Sequence, residues 1–179
     1  MEEGVGAFSS KHREAVISGI SAGFFFIVVG ALFVVMPNLF DRIVTFFNDW
    51  DVVTIPNLGI PWLAPARPFL SSHLTVYLAA ERFSFIWGVF QIVVLVLRLV
   101  LRSTVEKVSE TVSNMVYWFG SGVFIRMFLL EFVRFPTVGG LTRWFVFWAA
   151  TIMLFGVTLI IRGIIQAAVP MRYVARSNT

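Results

Sequence analysis

The chain contains no cysteine, two histidines and few charged residues. Without cysteine it can form no disulfide bond, no thiolate metal site and no cysteine nucleophile. His12 and His73 are expected at opposite membrane borders, each in contact with solvent, so the sequence offers no two-histidine metal site. Charged residues make up 13% of the 179 residues and hydrophobic residues 58%, which leaves too little polar surface for a soluble globule. These shortages predict a protein that is surrounded by lipid.

Catalytic motifs are also missing from the sequence. It contains no His-Glu-x-x-His, no glycine-rich phosphate loop and no recognisable Ser-His-Asp arrangement, and its few carboxylates lack a paired setting. We therefore expect no enzymatic activity, no catalytic residues, no cofactor and no metal ion.

The basic residues do not indicate a nucleic-acid-binding protein, although the net charge is +4 and the isoelectric point is about 10.1. Lys and Arg are spread between hydrophobic segments and form neither a tail nor a stripe. In a membrane protein, such residues lie at the borders of the bilayer and set its orientation. The lipid bilayer is therefore the first expected partner.

Four hydrophobic segments predict four transmembrane helices, because each is close to the ~20 residues that span a bilayer. The predicted spans cover residues 15–35, 83–101, 112–132 and 144–161. The second is expected to extend as a helix back to Ser72, which would be its N-cap. Together they predict an all-α integral membrane protein with one domain over residues 1–179, built as a four-helix bundle.

The connection between the first two spans has two distinct parts. Residues 38–50 form an amphipathic pattern with Leu39, Phe40, Ile43, Val44, Phe47 and Trp50 near one helical face. This predicts a short helix that either lies in the headgroup region or folds over the bundle as a lid. Four prolines in the loop 51–69 exclude a continuous helix, and the turn signal Asn57-Leu58-Gly59 allows a small hairpin between 52–55 and 60–63.

Basic residues at each side of the predicted spans favour cytoplasmic N- and C-termini in a multi-pass protein of the cell membrane. One side carries Lys11, Arg13, Arg98, Arg102, Lys107, Arg162, Arg172 and Arg176, and the other carries Arg42, Arg67, Arg82, Arg134 and Arg143. The excess on the first side makes that side the cytoplasmic one, and the proline-rich loop is then extracytoplasmic.

Charged residues near the outer ends of the second and third spans predict an intramembrane charge network. Arg126 is the deepest of them, and charges at this depth are costly unless they are paired. Counting from the apparent outer ends of two antiparallel spans places Glu81 opposite Arg134, Arg82 opposite Glu131, and Gln91 near the level of Arg126. The network of Glu81, Arg82, Arg126, Glu131 and Arg134 is either a clamp that fixes helix register or a polar vestibule that leads inward.

Small residues mark two further features. Gly19 and Gly23 form a GxxxG match that allows close helix contact, and packing within the chain is favoured over dimerisation. The third span carries Ser113, Asn114, Gly120, Ser121 and Gly122, which predicts a central position in the bundle. Close packing is favoured there over the lining of a pore.

The functional hypothesis from the sequence is a non-enzymatic membrane protein that acts through association, either as a homo-oligomer or as a small subunit of a membrane complex. The alternative is a small oligomeric ion channel or transporter lined by the third span. The environment of Arg126 separates the two hypotheses. A paired Arg126 supports association, whereas a continuous water-filled cavity beside it supports permeation.

Overall fold

The computed structural model of the chain describes residues 3–55, 58–131 and 140–168. This part of the chain is mainly helical and contains one hairpin. Its elements are α1 (Glu3–Val35), α2 (Leu39–Asn48), β1 (Trp50–Thr54), β2 (Pro61–Pro65), α3 (Ser71–Val100), α4 (Val105–Phe124) and α5 (Gly140–Ala168). Helix α4 continues directly into a π-helical turn over Ile125–Leu130, here named the π segment.

Three helices in the described residues are long and apolar enough to cross a membrane: His12–Val35 in α1, Ser71–Val100 in α3 and Leu141–Ala168 in α5. They overlap the first, second and fourth predicted spans. The third predicted span, 112–132, falls on α4 and the π segment, which are not among these three, and its last residue lies outside the described residues. Helix α4 differs from the others because Glu106, Lys107 and Glu110 occupy its first two turns.

The bounds of α3 differ from the prediction at its N-terminal end. The helix begins at Ser71, and its N-cap is Leu70, so the prediction that Ser72 caps the helix was wrong. Ser72 falls inside the first turn, where its hydroxyl is buried without a hydrogen-bond partner in the described residues. The helix therefore contains twelve residues before the apolar part that begins at Phe83.

The four long helices pack in chain order, with α1 on α3, α3 on α4 and α4 on α5. The α3–α4 pair is the most extensive contact. Here Phe119 lies over Gly88 and Phe85 lies over Gly122, so that a Cβ atom at these glycines would be 3.1 and 3.2 Å from the rings. Glycine at these two positions is what lets the helices approach closely.

A tight turn of four residues, Leu101–Thr104, joins α3 to α4. Near this turn, the start of the apolar part of α1 meets the end of α3, and the start of α4 meets the end of α5. We call this end of the bundle the Arg98 end, and we call the opposite end, which carries α2 and the strands, the hairpin end.

The hairpin predicted from the proline-rich loop is confirmed. Strands β1 and β2 are antiparallel, with Val53 opposite Trp62 and Thr54 opposite Pro61. Gly59 in the connection has φ of 68°, a left-handed conformation that glycine adopts without a steric cost.

Helix α2 folds over the hairpin end of the bundle. Its buried residues are Leu39 and Phe46, and Phe46 joins an apolar cluster with Tyr77, Trp144 and Phe147. The predicted single apolar face is divided, because Phe40, Val44 and Phe47 remain exposed. The helix thus covers the bundle with one face and presents apolar side chains on another.

Candidate functional site

The deepest predicted charge, Arg126, lies in the π segment between two carboxylates. Its Nη1 atom is 3.4 Å from Oε1 of Glu81 on α3, and its Nε atom is 3.7 Å from Oε1 of Glu131. These residues border a cavity of about 680 Å³ that we call the charged groove. It is lined by Leu78, Glu81, Arg82, Phe85, Ile86, Arg126, Leu130 and Glu131.

The π geometry accounts for the pairing of Arg126 with Glu131. In an α-helix the neighbouring side chains are three and four residues apart, and positions five apart point in different directions. A π-helical turn closes after about five residues, which brings Arg126 and Glu131 onto one side. Helical periodicity alone could not have indicated this pair.

Burial is unequal within the charged groove. The Glu81 side chain is 10% exposed, whereas that of Arg126 is 64% exposed. A buried carboxylate without a cation is strongly unfavourable. The charge of Arg126, which lies at the surface of the bundle, compensates that of Glu81. The remaining surface of the guanidinium faces away from the bundle and is accessible to a further partner.

The predicted charge network is brought together only in part. Glu81, Arg126 and Glu131 meet, and Arg82 lines the same groove but forms no ion pair with the described residues. The predicted pair of Arg82 with Glu131 is therefore not formed. Arg134 lies outside the described residues, and with it the predicted pair with Glu81.

The expected level of Gln91 was wrong, because Arg126 contacts Glu81, ten residues earlier in the chain. The tight turn Leu101–Thr104 sets the register of α3 against α4 from the Arg98 end. Counting from the outer ends missed this, because α3 begins twelve residues before its most apolar part.

A second polar cluster lies under α2 and the hairpin. The Asp49 carboxylate accepts hydrogen bonds from the backbone N–H of Arg67 at 3.0 Å and from its Nη2 at 3.1 Å. His73 Nε2 is 3.9 Å from the same carboxylate. The imidazole is fully buried and the Phe46 ring packs edge-on to it with centroids 5.1 Å apart. The expectation of a solvated His73 was wrong because α2 and the hairpin cover the first turn of α3, and no sequence spacing links Asp49 to this histidine.

At the Arg98 end, a cavity of about 350 Å³ lies between α1 and α4 over α3. We call it the polar groove. Its polar lining consists of Ser18, Ser21, Gln91, Arg98, Glu110, Thr111 and Asn114. Arg98 donates to the Lys107 carbonyl and to Thr111 Oγ1, and its Nη2 is 3.6 Å from Glu14.

Two groups in the polar groove lack partners in the described part of the chain. The Nε–H of Arg98 is buried without a hydrogen bond. Gln91 is 8% exposed, and no described residue bonds its amide. From the sequence, Gln91 was considered only for its depth relative to Arg126. The polar groove was not predicted, because its walls come from three separate helices.

Closer to the hairpin end, the same three helices and α5 border an apolar cavity of about 420 Å³, here named the apolar groove. Its walls include Val29, Leu32, Phe83, Trp118, Ile125 and Trp148. Ser121 also lines it, and its buried hydroxyl has no partner in the described residues.

Gly19 and Gly23 lie on an open face of α1. A Cβ atom at either position would meet nothing within 4 Å in the described part of the chain, so the predicted packing of these glycines within the chain is not formed there. In contrast, small residues of α4 do serve close packing. Ser113 donates to the Thr158 carbonyl at 3.1 Å, and Gly120 lies against Leu154.

Metal-binding side chains do not gather in groups of three or more within residues 3–55, 58–131 and 140–168. Comparison of the chain with protein-family models, curated proteins and solved structures finds no match. The geometry of the grooves is therefore the basis on which a function can be argued.

Proposed function

We propose that this chain is a non-enzymatic, four-span membrane protein that acts by associating with another copy of itself or with another membrane protein through the charged groove. The observation that carries the proposal is the Glu81–Arg126–Glu131 set, in which a buried carboxylate holds a guanidinium that is 64% exposed at the side of the bundle.

The depth of the charged groove makes a polar partner favourable. Glu81 lies 17 residues before Arg98 in one helix, which is about 25 Å along the axis. With Arg98 at one border of a hydrocarbon core ~30 Å thick, Glu81 lies inside the opposite border. A guanidinium beside lipid tails at that depth is unfavourable even when it can reach outward, and a partner with polar groups would remove this cost.

The open face of α1 gives a second surface for association. Gly19 and Gly23 allow another helix to approach closely, and nothing in the described chain occupies that approach. This face and the charged groove lie on different helices, so that one copy could use both in a larger assembly.

The four-span topology has two supports. Helix α4 and the π segment together run 26 residues without a break from Val105 to Leu130, or about 39 Å, with α3 and α5 packed on either side of α4. Counted over the sequence at the borders of the predicted spans, eight Lys and Arg residues fall on the side of the Arg98 end and five on the side of the hairpin end. Lys and Arg are more frequent on the cytoplasmic side, which favours cytoplasmic termini and an extracytoplasmic hairpin in the cell membrane.

A small oligomeric channel or transporter lined by α4 is the alternative. The charged groove near one end and the polar groove near the other favour it, since the first lies between α3 and the π segment and the second borders α3 and α4. Between these grooves, however, Phe119 covers Gly88 and Phe85 covers Gly122. A path would therefore have to run between several copies arranged in a ring.

Light scattering during size-exclusion chromatography, with the detergent mass subtracted, tests the proposal on the wild-type chain and on Arg126→Gln. We expect the wild type to form an oligomer, or a complex retained from native membranes in mild detergent, and Arg126→Gln to weaken it. Arg82→Gln is the matched control because Arg82 lines the same groove and forms no ion pair with any described residue.

A wild-type chain that is monomeric after purification, and also after extraction from native membranes in mild detergent, would contradict association. A closed ring of defined size that conducts ions, with conductance altered by Arg126→Gln and not by Arg82→Gln, would instead support the channel alternative.

A further inference from the structure

The surface of α3 between α1 and α4 changes from polar to apolar along its length. The polar groove at the Arg98 end and the apolar groove nearer the hairpin end are both lined by α1, α3 and α4. Phe83 of the apolar groove stacks on Trp87 of the polar groove, and the centroids of the two rings are 5.9 Å apart. The two grooves together have the polarity profile of an amphiphilic ligand.

We propose that these two grooves bind one glycerophospholipid, with its phosphate and ester groups in the polar groove and an acyl chain in the apolar groove. The proposal rests on the membrane placement of α1 and α3 and not on the association of copies. It assigns to the chain a lipid-binding site that is separate from the charged groove.

Unpartnered donors point to an oxygen-rich ligand. The Nε–H of Arg98 is buried without a partner, and Gln91, 8% exposed, has an amide that no described residue bonds. Buried polar groups that lack hydrogen bonds are destabilising. Phosphate and ester oxygens accept hydrogen bonds from amide N–H groups, so the Gln91 amide, which lines the groove, would be satisfied by such a molecule.

The charges around the polar groove balance. Arg98 faces the carboxylate of Glu14, and Lys107 faces that of Glu110 at 3.1 Å. Selection by net charge is therefore weak. The groove recognises the phosphodiester and ester oxygens that all glycerophospholipids share, and free inorganic phosphate, which has more charge and no acyl chain, is a poor ligand.

Size and access also fit a lipid. The cavities of about 350 and 420 Å³ are each within the ~300–1,000 Å³ of typical ligand pockets. Gln91 lies seven residues from Arg98, about 10 Å deeper along the helix, in the direction from a phosphate towards its acyl chains. Ser18 and Asn114 at the rim are exposed, so that a lipid can enter sideways from the bilayer.

Native mass spectrometry of the full chain released from nanodiscs tests the proposal. The nanodiscs contain equal amounts of phosphatidylethanolamine and phosphatidylglycerol, and we expect one retained phospholipid of either type per wild-type chain. Gln91→Leu removes the amide and keeps most of the volume, and it should lower the affinity about tenfold. Ser18→Trp fills the rim and should abolish retention.

Two controls match these variants. Gln166→Leu is the same substitution at the Arg98 end, in α5, where Gln166 bonds Ser109 outside the groove. Ile20→Trp places the same bulk on an exposed position of α1 that does not line the groove. Both controls should retain the lipid as the wild type does.

Equal retention in Gln91→Leu, in Ser18→Trp and in the controls would overturn the proposal, as would wild-type protein without any bound lipid. If Ser18→Trp does not fold, Asn114→Leu at the opposite rim takes its place with the same expected loss. Binding of inorganic phosphate to detergent-purified protein, with the same sensitivity to Gln91→Leu, would overturn the assignment to a lipid. Crosslinking between two copies of the protein through Ser18→Cys would show that a second copy occupies the groove. That result would also overturn the assignment to a lipid.

Discussion

Glu14 on α1 and Arg98 on α3 lie side by side, with Oε2 of the carboxylate 3.6 Å from Nη2 of the guanidinium. Arg98 also donates to the Lys107 carbonyl and to Thr111 on α4. One side chain therefore connects three helices at the end where α3 turns into α4.

Removing the partner of this arginine should loosen α1. We expect Glu14→Gln to lower the free energy of unfolding by about 1 kcal/mol, since a largely buried ion pair is replaced by a neutral contact. Hydrogen exchange should rise first in α1, which packs mainly on α3. Glu110→Gln is the control, because Glu110 pairs with Lys107 within its own helix. An equal rise of exchange in all helices would contradict a local role for Glu14.

The two carboxylates of the charged groove should differ in their effect on stability. Glu81→Gln should destabilise the chain by about 1–3 kcal/mol, because Glu81 is the buried partner of Arg126. Glu131→Gln should cost less than about 1 kcal/mol, because the Glu131 side chain is 53% exposed. Thermal unfolding in one detergent measures both. A larger loss of stability for Glu131→Gln than for Glu81→Gln would contradict this. It would mean that the Arg126–Glu131 pair contributes more than the Arg126–Glu81 pair between helices.

Glycine in the α3–α4 interface should tolerate no side chain. A Cβ atom at Gly88 would be 3.1 Å from the Phe119 ring, and larger side chains would force the helices apart. We expect Gly88→Val to cost about 1–3 kcal/mol of stability, measured by thermal unfolding. Gly156→Val in α5 is the matched control, since its Cβ would meet nothing within 4 Å. A loss of similar size in the control would show that helix propensity, not packing, is responsible.

Substitutions at the open glycines of α1 should separate folding from association. Gly19→Ile should leave the unfolding temperature of the monomer nearly unchanged, because no described atom lies within 4 Å of a Cβ there. If another helix packs on this face, energy transfer between labelled copies in liposomes should fall. Ile20→Ala, also on α1, provides the control for altered volume. Unchanged energy transfer with Gly19→Ile would exclude this face as a contact between copies.

The Asp49 cluster should hold the hairpin in place. Asp49→Ala removes the acceptor of three hydrogen bonds from Arg67 and the charge beside His73. We expect faster proteolysis between β1 and β2, with a loss of about 1–3 kcal/mol in local stability. Asp51→Ala is the control, because Asp51 is exposed and, among the described residues, accepts only from the N–H of its neighbour Val52. Equal protection of the hairpin in both variants would contradict this role of Asp49.

The sequence was sufficient where local rules decide the structure. The turn signal around Gly59 predicted the hairpin, and the amphipathic pattern before Trp50 predicted α2. The long apolar runs predicted the three helices that can cross a membrane. In each of these cases the determining residues are neighbours in the chain.

Features that depend on several elements were not predictable in this way. His73 looks like a border residue until α2 and the hairpin fold over it, and the polar groove exists only when α1, α3 and α4 are assembled. The packing face of α1 was also predicted incorrectly. Gly19 and Gly23 are equally suited to contact a helix of the same chain and a helix of another molecule. Periodicity identifies a face, but it does not identify what covers that face.

The π segment interrupts the regular turn of the helix that contains it. Residues before Ile125 follow the α-helical contacts of α4 with α3, and within Ile125–Leu130 the wider coil turns the chain less per residue. Deleting a single residue there, such as Met127, would allow a regular α-helix in which Arg126 and Glu131 are four positions apart and still neighbours. The π segment therefore accommodates one extra residue without separating these two charges.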